Sequence, residues 1–432
     1  MPEMTVRAFT PISLPGLCAL GLWLLLTFGC RAQYDAPTGY YDSALGKTST
    51  ALKTSLHSIV ATHTVLPYTS TQPDVWDALK ALDEDPADTT SVILIYSGLD
   101  ALKANQYTGS NGTTGTWDRE HLWPQSFGLV VYGDNAPPKT DIFNLRPIDP
   151  TINSTRNNRY YDFSTAPVST KTLAPGSDYD SDSWCPRAED RGQIARSIFY
   201  MTVVYDGTYT NAPTLTLSDT PNASTYTFGK LSTLLLWNRQ YPVNTSERKR
   251  NQAVYDNWQH NRNPFIDNHY YADMIFLGAT AEQSWKNAAF TTSELADSTV
   301  SGDSADPDGD GISNLVEYAE NLSPKTANSL SSLETVQTSG SSLLLTHRKN
   351  RWATDLTFSY QVSTDLQTWT TVTPSTTSTS HLDIDTDQVT ASVPMSGPRE
   401  FIRLVITQNA MTTSAASSSK STKLRRNSGL KR

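Results

Sequence analysis

Apolar residues recur at helical spacing near the start of the chain. In residues 43–62 they return every three to four positions, which predicts an amphipathic helix with one buried face. A second, shorter helix is predicted after Asp74, whose carboxylate can cap the first turn. The apolar positions of the first helix are Leu45, Leu52, Leu56, Ile59 and Val60.

The middle of the chain combines further predicted helices with a short predicted strand. Residues 92–96 form an apolar, β-branched run that is typical of a buried strand. Residues 189–205 and 228–239 are predicted to be mostly buried helices. A last helix is predicted to start at a capping-box-like pair, Asn244 and Glu247, and to end before Pro264. This mixture predicts an α+β fold.

From residue 330 onward the pattern changes to short strands separated by Ser, Thr, Asp and Pro turns. Such runs at close spacing predict a small all-β, sandwich-like domain. Its sequence contains no catalytic cluster, so we expect an accessory binding, spacing or attachment module. The runs are SLLLTHR, LTFSYQVSTD, QVTASV and FIRLVIT.

The amino terminus predicts export. Arg7 precedes an apolar run over residues 14–28, and small residues follow up to Ala32. This pattern predicts a signal peptide at residues 1–32, with an uncleaved anchor as the alternative. We therefore expect a secreted protein, extracellular or periplasmic, whose mature chain has no membrane span. Cleavage would leave Cys185 as its one cysteine and exclude an internal disulfide.

The charge balance argues against bulk electrostatic binding of nucleic acid. The chain has 34 Lys and Arg against 43 Asp and Glu, a formal charge of −9. That sign opposes tight association with phosphate backbones. Basic residues nevertheless gather at 146–159 and 248–262, whereas acids concentrate at 303–317. The sequence therefore allows a local basic cleft on an acidic protein.

The candidate chemistry lies in residues 116–163. There Glu120 directly precedes His121, and a later Asn-rich and Arg-rich segment follows. A carboxylate, an imidazole, amide oxygens and guanidiniums together suit metal-assisted attack on a phosphodiester. Taken alone, a Glu-His pair is usually a polar surface dipeptide, and an Asn-rich segment is usually a loop.

The order of several motifs resembles the endonuclease I family of secreted bacterial nucleases. The shared features are REHLWPQS, NLRP, the spacing from Asn144 to Asn153, and NRNPFID, over residues 40–271. The resemblance implies a His-Me finger (ββα-metal) nuclease domain wrapped by helices. It also implies a secreted, Mg²⁺-dependent endonuclease with low sequence specificity that acts on DNA, RNA or both and leaves 5′-phosphates.

The resemblance also assigns site residues. His121 would be the general base, and Asn144 would orient its ring. Glu120 and Asn153 would hold Mg²⁺. Two arginines would bind phosphate, Arg156 and Arg262, with a structural pair between Arg262 and Asp267 as the alternative. From its position beside Glu120, Arg119 is expected to be a structural cation or one that supports the site residues without contacting the substrate.

A second ion site is predicted in DSADPDGDGISNLVEYAENLSP. Its acidic and amide residues occupy the loop positions of an EF-hand-like calcium site, and an acidic solvated linker is the alternative. The predicted ligands are Asp306, Asp308, Asp310, the Ile312 carbonyl, Asn314 and Glu317.

These patterns predict an ordered series of segments and three function classes. Alternatives to the endonuclease are a ribonuclease of the same fold with little DNase activity, and a non-enzymatic calcium-binding surface protein. We expect a monomer with no stable protein partner. The predicted segments are a signal peptide (1–32), the nuclease domain (33–296), a calcium-loop linker (297–326), the β domain (327–408) and a disordered basic tail (409–432).

Overall fold

The computed structural model describes residues 34–109, 112–170, 172–329, 333–383, 385–397 and 400–409. The predicted signal peptide and residues 410–432 of the predicted tail lie outside these ranges. The described residues form two compact units, residues 34–279 and residues 280–409. The domain limits given above stay predictions. None of the helices in the described ranges is long and apolar enough to cross a membrane.

The first unit mixes helices with short strands, which confirms the predicted α+β class. Its helices are α1 Ser49–Val60, α2 Val75–Leu82, α3 Pro137–Thr140, α4 Pro150–Arg156, α5 Ala188–Val204, α6 Leu231–Gln240, α7 Thr245–Asn257, α8 Pro264–Asp267 and α9 Tyr271–Phe276. Its strands are β1 Glu84–Asp85, β2 Asp88–Ile93, β3 Asp100–Leu102, β4 Asp118–His121, β5 Leu145–Ile148, β6 Tyr160–Tyr161, β7 Val168–Ser169, β8 Asp178–Tyr179, β9 Ser183–Cys185, β10 Thr216–Leu217 and β11 Thr227–Phe228.

The first two helices follow the predicted apolar pattern, with one correction. Leu52, Leu56 and Val60 of α1 are fully buried. Leu45 precedes the helix and is 53% exposed, so it does not belong to the buried face. Asp74 caps α2 as predicted, because its carboxylate accepts hydrogen bonds from the backbone of the first turn.

The central helix α5 is buried along almost its whole length and packs against α1, α6 and α8. At the start of α7 the side chain of Asn244 accepts a hydrogen bond from the Glu247 amide at 2.9 Å, which confirms the predicted cap. The Glu247 carboxylate instead receives two hydrogen bonds of 2.7 Å from Arg196. This buried, doubly bonded ion pair ties α5 to α7.

The predicted strand at residues 92–96 is only partly correct. Strand β2 ends at Ile93, and Tyr96 has a left-handed φ of 70°. A bulky residue in that region cannot continue a strand. The Tyr96 amide is satisfied by the buried Asp190 carboxylate at 2.9 Å. The turn places the Tyr96 ring in the interior rather than on a sheet face.

A strand-strand-helix unit positions the candidate site. Strands β4 and β5 pair antiparallel, with Glu120 opposite Arg146 and His121 opposite Leu145. Asp149 then caps α4 by accepting hydrogen bonds from the first-turn amides, and Pro150 occupies the first helical turn. Proline is suited to that position because its missing N–H would have no partner there. The chain therefore passes directly from β5 into α4.

The second unit contains α10 Ala281–Ala289, α11 Thr292–Leu295, α12 Ser298–Ser301 and α13 Asn314–Glu320. Its strands are β12 Thr335–Ser339, β13 Ser342–Asn350, β14 Leu356–Ser363, β15 Thr370–Val372, β16 Thr376–His381, β17 Thr386–Pro394 and β18 Phe401–Gln408. They form antiparallel sheets of order β12-β13-β17-β16 and β15-β14-β18. The four runs noted in the sequence lie in these strands, apart from the last two residues of LTFSYQVSTD, whereas their arrangement as a sandwich stays a prediction.

Candidate functional site

A cleft of about 610 Å³ opens in the first unit beside β4 and α4. It brings together Glu120, His121, Asn153 and Arg156. Asn144 and Arg262 are not among its lining residues. The lining residues are Tyr68, Tyr107, Thr113, Asp118, Arg119, Glu120, His121, Pro124, Gln125, Ser126, Pro150, Asn153, Ser154, Arg156, Asn157 and Asn158.

The hydrogen bonds of His121 determine its tautomer. Its Nε2 lies 3.0 Å from the Lys139 carbonyl oxygen. A carbonyl only accepts, so Nε2 must carry the hydrogen and Nδ1 must carry the lone pair. The Gln125 carboxamide nitrogen lies 3.3 Å from Nδ1 and can donate to it. Burial lowers the pKa of His121 to about 3, which leaves a neutral imidazole near pH 7.

Glu120 is buried in a cluster of phenols and a guanidinium. It is 1% exposed, and its Oε1 accepts a hydrogen bond of 2.7 Å from the Tyr96 hydroxyl. That hydroxyl lies 2.6 Å from the Tyr161 hydroxyl, and Arg156 Nε lies 3.4 Å from Glu120 Oε1. Burial raises the pKa of Glu120, while Arg156 and Tyr96 oppose the rise. These partners hold the carboxylate in one orientation at the cleft.

Asn153 supplies a second oxygen donor. It lies on α4, half-buried, and its carboxamide makes no hydrogen bond within the described ranges. Carboxylate and amide oxygens are the ligands that hard divalent cations prefer in proteins. Glu120 and Asn153 therefore fit a small divalent ion, since both line one cleft and the Asn153 amide has no competing partner among the described residues.

The two arginines predicted to bind phosphate differ in position. Arg156 lines the cleft, but its N–H groups donate to the backbone carbonyls of His121, Leu122 and Asn157 at 3.3, 2.7 and 3.0 Å. Binding of phosphate by Arg156 stays a prediction. These three hydrogen bonds argue against it, because they leave fewer N–H groups for a phosphate.

Arg262 corrects the first assignment made for it. It is fully buried, and it donates to both Asp267 carboxylate oxygens at 2.7 Å and to the Tyr34 carbonyl at 2.8 Å. This guanidinium is buried with these partners, and Arg262 is not among the residues that line the cleft. The structure places it in the alternative role, a structural pair with Asp267.

Asn144 also occupies a different environment from the one expected. Its side-chain oxygen accepts from the Trp123 amide at 2.7 Å, and its side-chain nitrogen donates to the Trp123 carbonyl at 3.3 Å. The carboxamide therefore braces the backbone two residues after His121. The ring of His121 is held by the Lys139 carbonyl and by Gln125 instead, so the predicted contact between Asn144 and the ring is not present.

Several residues around the cleft were not identified from the sequence. Gln125 stands in the REHLWPQS motif, four residues after His121, so its position carried a local signal. Tyr96 and Tyr161 come from segments far from Glu120 along the chain, and no local pattern links them to it. The Lys139 contact uses a backbone carbonyl, which residue identity does not reveal.

The acidic loop of the second unit gathers three of its predicted ligands. Carboxylate oxygens of Asp306, Asp308 and Asp310 lie within 4.8 Å of one another. Gly311, at the sixth loop position, has a φ of 86°, as the sharp turn of such a loop requires. One oxygen of Asp308 is buried and accepts no hydrogen bond from the described residues.

The remaining predicted calcium ligands are buried. Asn314 is fully buried, and its side-chain nitrogen donates to the Val300 and Gly302 carbonyls at 2.8 Å each. Glu317 is fully buried on α13, one turn further along. Ile312 precedes this helix and is also buried. Binding of calcium by its backbone carbonyl stays a prediction.

Comparison with known proteins bears on the first unit. The sequence profile of the family described as Endonuclease I matches residues 48–270. An extracellular ribonuclease of Bacillus amyloliquefaciens is 46% identical over 238 residues, which are 55% of this chain and 78% of the relative. An extracellular ribonuclease of Bacillus subtilis (strain 168) is 42% identical over 280 residues, which are 64% of this chain and 92% of the relative. The profile match spans every residue that lines the cleft.

We predict that Arg262→Ala lowers the free energy of unfolding by about 3–5 kcal/mol, because it leaves the Asp267 carboxylate buried without its cation. Denaturant unfolding of the full chain measures this loss. Lys103→Ala is the control, since its pair with Glu84 is partly exposed and contributes about 0–1 kcal/mol. An Arg262→Ala chain as stable as the control would contradict the structural assignment.

Proposed function

This chain belongs to the endonuclease I family, as its motifs predicted, and we propose that it is a secreted, metal-dependent endonuclease that hydrolyses phosphodiester bonds in DNA, RNA or both. The observation that carries the proposal is the cleft, in which a neutral imidazole with a defined lone pair lies beside a carboxylate and an amide. Both relatives are named extracellular, which supports export.

His121 is proposed as the general base. Its Nδ1 lone pair faces the Gln125 amide, and a water molecule that replaces this weak contact can pass its proton to Nδ1 as it attacks phosphorus. The bond from Nε2 to the Lys139 carbonyl is retained as the ring becomes charged, and the carbonyl then stabilises the imidazolium. In this tautomer Nδ1 accepts the proton from water, and Nε2 holds the ring in place through the Lys139 carbonyl.

Glu120 and Asn153 are proposed to hold Mg²⁺, as carboxylate and amide oxygens suit this ion. When bound, Mg²⁺ supplies positive charge next to the phosphate and the leaving 3′-oxygen. The succession of β4, β5 and α4 supports assignment to the His-Me finger, or ββα-metal, class. The products proposed for this class carry 5′-phosphates.

A ribonuclease with little action on DNA is the second candidate. The names of both relatives favour it. The proposed chemistry does not involve the 2′-hydroxyl, so the cleft itself does not require RNA. A site that contacts mainly backbone phosphates cuts with low sequence specificity.

The acidic loop of the second unit is proposed as an EF-hand-like structural calcium site. The clustered carboxylates of Asp306, Asp308 and Asp310 and the left-handed Gly311 support it. The following strands are proposed as a small β-sandwich with an accessory role. The calcium loop would stabilise the start of this unit and take no part in the chemistry.

We predict that the mature chain, residues 33–432, cleaves plasmid DNA, total RNA or both with Mg²⁺ and cleaves neither with excess chelator. His121→Ala should lower the rate by about 10²- to 10⁴-fold, because it removes the group proposed to take the proton. Gel and single-turnover assays measure both effects.

The matched control for this variant is His260→Asn, which changes an exposed histidine whose φ of 63° asparagine tolerates well. It should keep the wild-type rate. Full hydrolysis by His121→Ala would show that the proposed base is wrong, and cleavage of RNA alone by wild type would favour the second candidate.

Asn153→Ala should raise the Mg²⁺ concentration needed for half-maximal activity and lower the maximal rate, because one oxygen ligand is lost. Mg²⁺ titration of cleavage measures both quantities. Asn158→Ala is the control, since Asn158 also lines the cleft but lies outside the proposed ligand pair. An unchanged Mg²⁺ requirement in Asn153→Ala would remove this residue from the metal site.

Calcium should stabilise the second unit and raise its thermal midpoint. At a hundredfold excess of Ca²⁺ over the dissociation constant, the free energy of unfolding should rise by about 2.7 kcal/mol. Asp308→Asn should abolish the rise, because it removes a ligand charge. Calorimetry with and without Ca²⁺ tests this, with Asp100→Asn on β3 as a control in the other unit. An equal calcium effect in Asp308→Asn would argue for the solvated-linker alternative.

A further inference from the structure

We propose that Arg119, rather than either arginine named by the motifs, binds a phosphate of the substrate beside the general base. This assignment rests on the nuclease function proposed above and adds a substrate-binding residue to that site. The ligand class is a phosphodiester of a nucleic-acid backbone. Four features of the cleft carry the inference.

The first feature is the face of the strand on which Arg119 lies. Side chains alternate along β4, so Arg119 and His121 project to the same side, while Glu120 projects to the other. Both contact the ring of Tyr68. The Arg119 guanidinium carbon lies 3.5 Å from its centroid, and the His121 ring centroid lies 5.7 Å away. The cation and the base therefore share one wall of the cleft.

The second feature is preorganisation. The Arg119 guanidinium lies between the rings of Tyr68 and Trp76, at 3.5 and 4.0 Å from their centroids. One terminal nitrogen donates to the Tyr68 carbonyl and to Thr69 Oγ1, the latter at 3.2 Å. Stacking and hydrogen bonds hold the planar group in place before any ligand arrives, so little side-chain entropy is lost on binding.

The third feature is unused hydrogen-bonding capacity. Arg119 Nε is buried and has no hydrogen-bond partner in the described ranges. The second terminal nitrogen, NH2, also makes no hydrogen bond to the described residues. Nε and NH2 are adjacent donors on one edge of the guanidinium. Two parallel N–H groups on one edge match two oxygens of a phosphate.

The fourth feature is that the other positively charged side chains already have partners. Arg156 donates to three backbone carbonyls and lies beside Glu120. Arg262 is buried outside the cleft with Asp267. Lys139 is 5% exposed and pairs with Asp134. Of the four cationic side chains compared here, Arg119 is the one with two adjacent N–H groups that have no hydrogen-bond partner among the described residues.

The test compares Arg119→Gln, Arg119→Lys and the control Lys249→Gln, which removes one exposed charge on α7. Steady-state cleavage of a labelled single-stranded oligonucleotide gives kcat and KM. We expect Arg119→Gln to lower kcat/KM by roughly 10- to 100-fold, the effect of losing a charged hydrogen-bonded pair. Arg119→Lys should recover part of the loss, because charge returns without the planar fork. Lys249→Gln should match wild type.

A second readout separates substrate binding from support of the fold. Binding of the same oligonucleotide is measured against salt in a His121→Ala background, in which cleavage is slow on the time scale of the binding measurement. Losing one phosphate contact should lower the slope of log affinity against log salt by about 0.7. A purely structural role would lower the thermal midpoint and kcat and would leave this slope unchanged, and that pattern overturns the assignment.

The remaining outcomes distinguish this inference from the function on which it rests. If wild type cleaves the oligonucleotide and Arg119→Gln keeps its kcat/KM and salt slope, the assignment of Arg119 is wrong and the nuclease function stands. If wild type cleaves neither nucleic acid with Mg²⁺, the proposed function fails and the assignment fails with it.

Discussion

The buried guanidinium of Arg156 holds the two sides of the cleft together. From the end of α4 it donates to the carbonyls of His121 and Leu122, at the end of β4, and its Nε lies 3.4 Å from the Glu120 carboxylate. A buried charge is tolerated only when such partners replace the lost water. The strand that carries the acid and the base is thereby fixed against the helix that carries Asn153.

The arginines of the first unit cannot be distinguished by residue type, but they have different partners in the structure. Arg196 and Arg262 each form a buried, doubly bonded pair with one carboxylate, Glu247 and Asp267, and tie helices or turns together. Arg156 binds mainly backbone carbonyls. Arg119 stacks between two rings at the cleft. The number of hydrogen bonds already used, rather than residue type, therefore decides which guanidinium remains available to a ligand.

A net charge of −9 opposes binding of a phosphate backbone, but the acidic residues are not spread evenly along the chain. The clustered carboxylates of Asp306, Asp308 and Asp310 belong to the second unit. The Glu120 carboxylate in the first unit is paired with the Tyr96 hydroxyl and with Arg156. Local placement of a few charges can thus matter more than their sum, because screening confines surface fields to short distances.

Elements with local signals could be predicted from the amino-acid sequence. Helical spacing located α1, and side-chain caps located the starts of α2 and α7. The ordered motifs named the family and placed Glu120, His121 and Asn153, which the fold brings to one cleft. The partners of the side chains could be seen only in the folded chain: Asn144 bonds to the Trp123 backbone, Arg262 pairs with Asp267, and Tyr96 bonds to Glu120. Those outcomes depend on contacts between distant segments and on backbone carbonyls, and neither is encoded in the identity or spacing of neighbouring residues.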